Sequence, residues 1–267
     1  MKKNFILGVG AQKAGTTWLY EYLKNSENTN FGPVKEWHIW DCKYNQSFSN
    51  FRVKKEDSKT NVVNNIRYLM QNEEGFYEKY FLSLLSKNIH ITGDITPSYC
   101  CLDHIELINI KNKLSNAGFN IKVVFLMRDP VARCWSALRM IIKINKKYKN
   151  ITNQEANDLF LNYYNSNGFI LRTKYELIVK NLLKAFDENK IFFGFYENLF
   201  KYENISHISN FLEIKELYSL KNNVSNPSPT FTLNPDISKK CRVFYNDTYN
   251  FCNKKFPVTK KLWKEDE

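Results

Sequence analysis

Apolar runs of strand length alternate along this chain with stretches of helical periodicity. Asn4–Val9 is a mostly apolar run with the pattern of a buried strand, and Gly10–Gly15 follows it as a loop. Trp18, Leu19, Tyr22 and Leu23 then recur at the spacing of one helix face. Glu36–Asp41 reads as extended, Phe51–Asn61 as polar loop, and Asn65–Lys87 as helix with breaks. Ile89–Gly93 is a short strand. Ile121–Met127, interrupted only by Lys122, is the strongest buried-strand candidate. Asp129 and Pro130 supply an N-cap and a first-turn proline for a helix over Val131–Lys147. Ile170–Phe186 reads as helix, Ile191–Phe195 as strand and Ile205–Leu212 as helix. Asn222–Pro235, with three prolines, reads as a loop, and Ile237–Phe256 as one terminal helix. Strands alternating with helices predict an α/β fold in three layers, a central, mainly parallel sheet flanked by helices. No internal repeat divides the chain, so residues 1–267 are expected to form a single domain.

Composition narrows the classes of function. The chain has 267 residues, 43% hydrophobic and 25% charged, which excludes disorder or coiled coil as whole-chain descriptions. Its net charge of +12 attracts anions: nucleic acid, acidic glycan, phospholipid or a polyphosphorylated nucleotide. No apolar run approaches the ~20 residues of a spanning helix. The apolar start at Phe5–Leu7 is shorter than the ~7–15 residues of a signal-peptide core. The expected location is therefore cytoplasmic, with the six cysteines as thiols. Cys241 and Cys252, read within one helix, stand about 16 Å apart along its axis, too far for a disulfide. No cysteine pair has zinc-ligand spacing, so no metal site is expected.

Two segments have the chemistry of anion sites. Gly10-Ala11-Gln12-Lys13-Ala14-Gly15-Thr16-Thr17 joins the first strand to the first helix, where backbone N–H groups and the helix dipole converge on an anion. Its glycines have the spacing of a nucleoside-triphosphatase P-loop. However, Lys13 lies inside the loop, and Thr16 stands where that motif carries its lysine. The second segment, Val123 to Ser136, is strand, turn and helix start. Arg128 leaves the C-terminal end of a buried strand, where open α/β sheets collect ligands. Ser136 lies two turns into the next helix, and an arginine with a hydroxyl suits a second phosphate.

A third segment, Lys35-Glu36-Trp37-His38-Ile39-Trp40-Asp41, carries candidate acid–base chemistry. In an extended chain Glu36, His38 and Trp40 share one face, and Trp37, Ile39 and Asp41 the other. The flanking indoles exclude water and would lift the Glu36 pKa toward that of a working base.

Together these motifs resemble the sulfotransferases that use 3′-phosphoadenosine 5′-phosphosulfate (PAPS). The resemblance covers about residues 5–256 and includes heparan sulfate and bacterial-type members. It implies a P-loop-containing α/β fold. It also implies that Lys13 contacts the bridging and sulfuryl oxygens, within a cofactor-binding loop that includes Gln12. The amides of Ala14, Gly15, Thr16 and Thr17 and the two threonine hydroxyls would hold the 5′-phosphate. Trp18 matches an adenine-stacking position, although it also fits the core stripe. Arg128 and Ser136 match the 3′-phosphate site. The Lys35–Asp41 stretch resembles the Lys-Glu-x-His-Phe-Phe-Asp segment of heparan sulfate sulfotransferases. That likeness makes Glu36 the catalytic base, His38 a supporting or substitute base, and Asp41 an orienting residue. Asp94-Ile95-Thr96-Pro97-Ser98-Tyr99 resembles Glu-Lys-Thr-Pro-x-Tyr, with Ile95 where glycan-modifying members have a second lysine. The family's C-terminal Lys-Gly-Arg loop is not recognisable.

The reading is a sulfotransferase that moves the sulfuryl group of PAPS to a hydroxyl or amine of a carbohydrate or small molecule. It would need no metal, nucleic-acid partner or membrane span. The rivals are a P-loop kinase, against which Lys13 is misplaced and Arg128 stands where a metal-binding Asp is wanted, and a non-catalytic polyanion binder, suggested by the charge.

Overall fold

The structure, a computed structural model, describes residues 2–218 and 230–264. Four strands, β1 (Lys3–Gly10), β2 (Ile91–Ile95), β3 (Phe119–Met127) and β4 (Ile191–Phe195), form one sheet in the order β2-β1-β3-β4. Every pairing is parallel. Burial on both faces explains why these strands are continuous apolar runs rather than alternating ones. Parallel strands need crossovers, and helices fill them. Between β1 and β2 come α1 (Thr16–Lys24), α2 (Trp40–Tyr44), α3 (Val62–Asn72) and α4 (Phe76–Ser83); α5 (His104–Asn116) links β2 to β3. The β3–β4 crossover holds α6 (Pro130–Ile144), α7 (Asn153–Tyr163), α8 (Asn167–Thr173) and α9 (Tyr175–Ala185). After β4 come α10 (Tyr202–Leu212), α11 (Pro235–Phe244), α12 (Asn246–Lys255) and α13 (Thr259–Leu262).

The α/β architecture agrees with the reading of the sequence, and several boundaries do not. Helix α5 went unread, although Asp103 and Glu106 form a reciprocal capping box at its start. Asp129 caps α6 as expected, but the helix stops at Ile144, where Asn145 caps a following tight turn. The expected helix over Ile170–Phe186 is two, broken at Lys174, and the break seats Tyr175 in the core. The expected terminal helix is likewise two, meeting at Tyr245, whose hydroxyl donates to the Tyr164 carbonyl at 2.5 Å. Cys241 and Cys252 therefore lie on different helices, so the axial-rise argument does not apply to them; all six cysteines are nonetheless free. Most of the proline-rich stretch 222–235 lies outside the described residues. Among the described residues, no helix is long and apolar enough to cross a membrane.

Candidate active site

The sheet order brings the site together. Strand β1 lies between β2 and β3, so the chain leaves the C-terminal ends of three adjacent strands side by side. Gly10 is in register with Phe125, and the Ala11 amide donates to the Leu126 carbonyl at 2.6 Å, which docks the loop after β1 on the end of β3. Arg128, just beyond β3, donates from Nη1 to the Lys13 carbonyl at 3.2 Å. The two predicted anion segments thus meet, although 115 residues separate them.

The loop is shaped for an anion. Gly15 sits at φ +97°, a conformation that favours glycine, and a Cβ there would lie 2.9 Å from Leu199 Cδ2 and displace that side chain. No side chain caps α1, which leaves its first-turn amides to the solvent or a ligand. Lys13 itself holds φ +71°, a left-handed conformation that costs a lysine roughly 1 kcal/mol or more. Burial lowers its pKa, and the charges of Arg128, Arg139, Lys35 and Lys143 lower it further. Among the described residues none of Lys13, Arg128 and Arg139 makes an ion pair. Gln12 and Thr17 are partly exposed, whereas Ala14 and Thr16 are buried. Trp18 is 6% exposed, stacked on Tyr22 at 4.8 Å and edge-on to Phe200, so its ring packs within the core stripe.

On β3's side, Arg128 lies over the Tyr196 ring at 4.3 Å. Its backbone is held by Tyr175, whose hydroxyl donates to the Arg128 carbonyl at 2.9 Å. Ser136 is buried on α6, and Arg139 follows it at i+3. Arg133, by contrast, is fully buried against Cys134 and Phe169.

The acid–base segment differs from its extended reading. The backbone turns at His38, with φ +56°, and becomes helical from Trp40. The helical turn brings Asp41 back to His38 at i+3: His38 Nδ1 donates to Asp41 Oδ2 at 2.6 Å. On the other side of the ring, Nε2 meets Glu36 Oε2 at 3.3 Å. Glu36 is also bonded to Lys35, and Ser98 Oγ donates to Asp41 at 2.5 Å. Phe51 stacks on the His38 ring at 3.6 Å. Asp41 and His38 therefore share a site instead of facing apart.

The predicted pKa shift of Glu36 is reversed. Burial does push it up, but the His38 hydrogen bond and the Lys35 charge outweigh burial and bring it to about 2. Burial pushes His38 down, yet hydrogen bonds to Asp41 and Glu36 carry it up to about 9. At neutral pH, Glu36 is ionised with lone pairs available and His38 is already protonated.

The Asp94–Tyr99 stretch, given no role from sequence, fixes this segment. Thr96 Oγ1 accepts from the Trp37 amide at 3.1 Å, and the Tyr99 hydroxyl accepts from the Ile39 amide at 3.2 Å. Both hydroxyls donate to Asp94, as does Tyr77. Asp94 is fully buried; burial raises its pKa, the three donors oppose it, and it stands at about 6. Arg67 and Gln71 of α3 complete the clamp from Nη2 and Nε2, donating to the Glu36 and His38 carbonyls.

With this geometry in hand, comparison with known proteins decides the family. The sulfotransferase domain model matches residues 3–232. The chain belongs to the sulfotransferase family. A sulfotransferase from Alicyclobacillus acidocaldarius shares the fold at 13% identity, with a TM-score of 0.59 over 95% of this chain and 96% of that one. The sulfotransferase domain of the Synechococcus PCC 7002 olefin synthase aligns at 14% identity, covering 91% and 89% of the two chains, with a TM-score of 0.47. The comparison with curated protein sequences returns no match. Membership makes this sulfotransferase an enzyme of group transfer and sets aside the kinase and polyanion-binder readings. Sequence reasoning passed over Arg139, Tyr196 and the Thr96–Tyr99 clamp. Arg139 had a usable signal, its i+3 spacing from Ser136; the others depend on contacts across the sheet.

Proposed function

We propose that this enzyme transfers the sulfuryl group of PAPS to a hydroxyl or amine of a small-molecule or glycan acceptor by in-line displacement. The observation that carries the reading is the pairing of two opposite devices at the strand ends: cations without counter-charges around Lys13 and Arg128, and an ionised Glu36 held by Lys35 and His38. PAPS supplies the activated sulfuryl group and two anionic ends. The residues present suit such a molecule, since the half-buried Lys13 and Arg128 lack carboxylate partners among the described residues and the first-turn amides of α1 lack a capping side chain.

In this reading Glu36 accepts the acceptor's proton. His38, protonated at neutral pH and anchored by Asp41 and Ser98, is not itself free to accept one; it orients Glu36, and by stabilising that carboxylate's charge it also lowers its basicity. Lys13 offsets charge that develops on the leaving oxygen, with the amides of Gly15 to Thr17 around the 5′-phosphate; the Ala14 amide, expected to join them, donates instead to the Ala11 carbonyl at 3.2 Å. Gln12 and Trp18 complete the loop and its packing, while Arg128 and Ser136 hold the 3′-phosphate. No metal is required, because Lys13 and the helix start carry the charge. Residues 1–267 act as one domain. In support, α12 and α13, beyond the matched span, pack on the site's scaffold: Tyr249 donates to Asp129 and Trp263 to Glu197.

The test is a mixed acceptor panel incubated with PAPS labelled in its sulfate. Label passing to a hydroxyl or amine acceptor supports the reading. Failure of every acceptor, together with failure of the protein to bind adenosine 3′,5′-bisphosphate, overturns it.

A further inference from the structure

The environment of Arg128 holds more positive charge than the predicted pair, Arg128 and Ser136, accounts for. Two carboxylates lie nearby, Asp129 and Glu197, and both are spoken for. Asp129 Oδ1 accepts from the Ala132 amide that starts α6, and Oδ2 accepts from Tyr249 at 2.6 Å, with Arg242 at 3.7 Å. Glu197 accepts from the Asp129 amide at 2.8 Å and from Trp263 Nε1 at 3.0 Å. Neither forms an ion pair with Arg128.

Into this space α6 brings a second guanidinium. Arg139 stands one i+3 step beyond Ser136. Its charge acts on Arg128's neighbourhood, and its pKa is lowered by burial and by Arg128, against an opposing effect of Tyr196. Its Nε is buried and has no hydrogen-bond partner among the described residues. Two like charges act on each other here, and Arg139 keeps a buried donor unused. An isolated protein gains nothing from this arrangement, because repulsion and desolvation both oppose it. A bound dianion reverses both costs, and a guanidinium fork is the geometry that matches a phosphate.

We propose that Arg139 is a further binding residue of this enzyme, forming with Arg128 and Ser136 a two-arginine clamp on the 3′-phosphate of the donor nucleotide. The inference rests on the donor reading given above. The clamp supplies from the middle of α6 the extra cation that the unrecognised C-terminal basic loop would otherwise contribute.

Calorimetric titration of the full chain with adenosine 3′,5′-bisphosphate and with adenosine 5′-monophosphate tests it, because only the first ligand has the phosphate in question. Arg139→Ala is expected to weaken the bisphosphate by roughly 10- to 100-fold and to leave the monophosphate unchanged. Arg139→Lys, which keeps the charge without the fork, is expected to lose part of that affinity; it carries the test alone if the alanine variant does not fold. Unchanged bisphosphate binding in the folded variant overturns the proposal, and so does an equal loss for both nucleotides. If the unaltered enzyme binds both nucleotides equally, the donor reading itself falls and the clamp with it. That outcome is visible before any variant is made.

Discussion

On the β3 side of the site, Lys13, Arg128 and Arg139 gather with no ion-pair partner among the described residues; on the β2 side, Lys35, Glu36, His38, Asp41 and Ser98 form a chain in which each group meets a complementary one. The first region is electrostatically incomplete and the second is nearly closed. Their stability costs run in opposite senses. Half-buried cations without counter-charges weaken the free protein and gain when an anion arrives. A satisfied proton-handling network stabilises the free protein and keeps its geometry before any substrate enters. The contrast matches the proposed division of labour, with binding on one side and proton transfer on the other.

The sharpest break between the two regions comes from Glu36→Gln. The amide keeps the shape of the side chain but cannot take a proton, so turnover should fall by roughly 10²- to 10⁴-fold while the Kd for adenosine 3′,5′-bisphosphate stays put. Steady-state kinetics with parallel calorimetry checks this, and a matching loss of affinity would erase the division. Lys13→Ala should cut turnover by about 10²- to 10³-fold and, unlike the Glu36 variant, weaken the nucleotide as well.

His38 sharpens the comparison through pH. Its folded-state pKa, about 9, lies above its ordinary value near 6.5, so the network's contribution is full below about pH 6.5 and is lost as pH rises through 9. The loss amounts to roughly 3 kcal/mol at most. Thermal unfolding from pH 6 to 10 should show Tm declining over that window, and His38→Gln should flatten the decline. Tyr99→Phe removes a hydroxyl that accepts from Ile39 and donates to Asp94, and should cost about 1–3 kcal/mol by denaturant unfolding. It should also lower turnover more than nucleotide affinity, because the clamp serves Glu36 and His38. The smallest expected effect is that of excess EDTA: sulfuryl transfer should proceed at nearly the rate seen with magnesium, since the proposed mechanism gives Lys13 the role a bridging cation would take.

The strands, the loop after β1 and the start of α6 were legible because each is determined by its own neighbours. Ile121–Met127 is apolar apart from Lys122, and a run of that length suits a strand buried on both faces. Asp129-Pro130 caps and begins a helix wherever it is placed. The Lys35–Asp41 stretch was half legible. Its residue types announced proton chemistry, but the alternation argument assumed an extended chain, and the turn at His38 is imposed from outside by Thr96, Tyr99 and Gln71. The same contacts explain the reversed pKa of Glu36: the indoles were visible in sequence, whereas the placement of His38 and Lys35 against the carboxylate was not.

By itself, then, the chain's order of residues determined which segments are strands, where a glycine-containing loop follows the first of them, and which side chains have the chemistry to bind an anion or take a proton. Those properties depend on neighbours within a few positions, and short-range sterics and periodicity encode them. Tertiary structure alone decided that Arg128 reaches the Lys13 carbonyl, that Asp41 returns to His38, that Arg139 and Arg128 feel each other's charge, and that Asp129 and Glu197 are occupied elsewhere. Each of these is a matter of charge placed across a sheet, and Coulombic and hydrogen-bond energies turn on ångström distances that only the assembled fold sets.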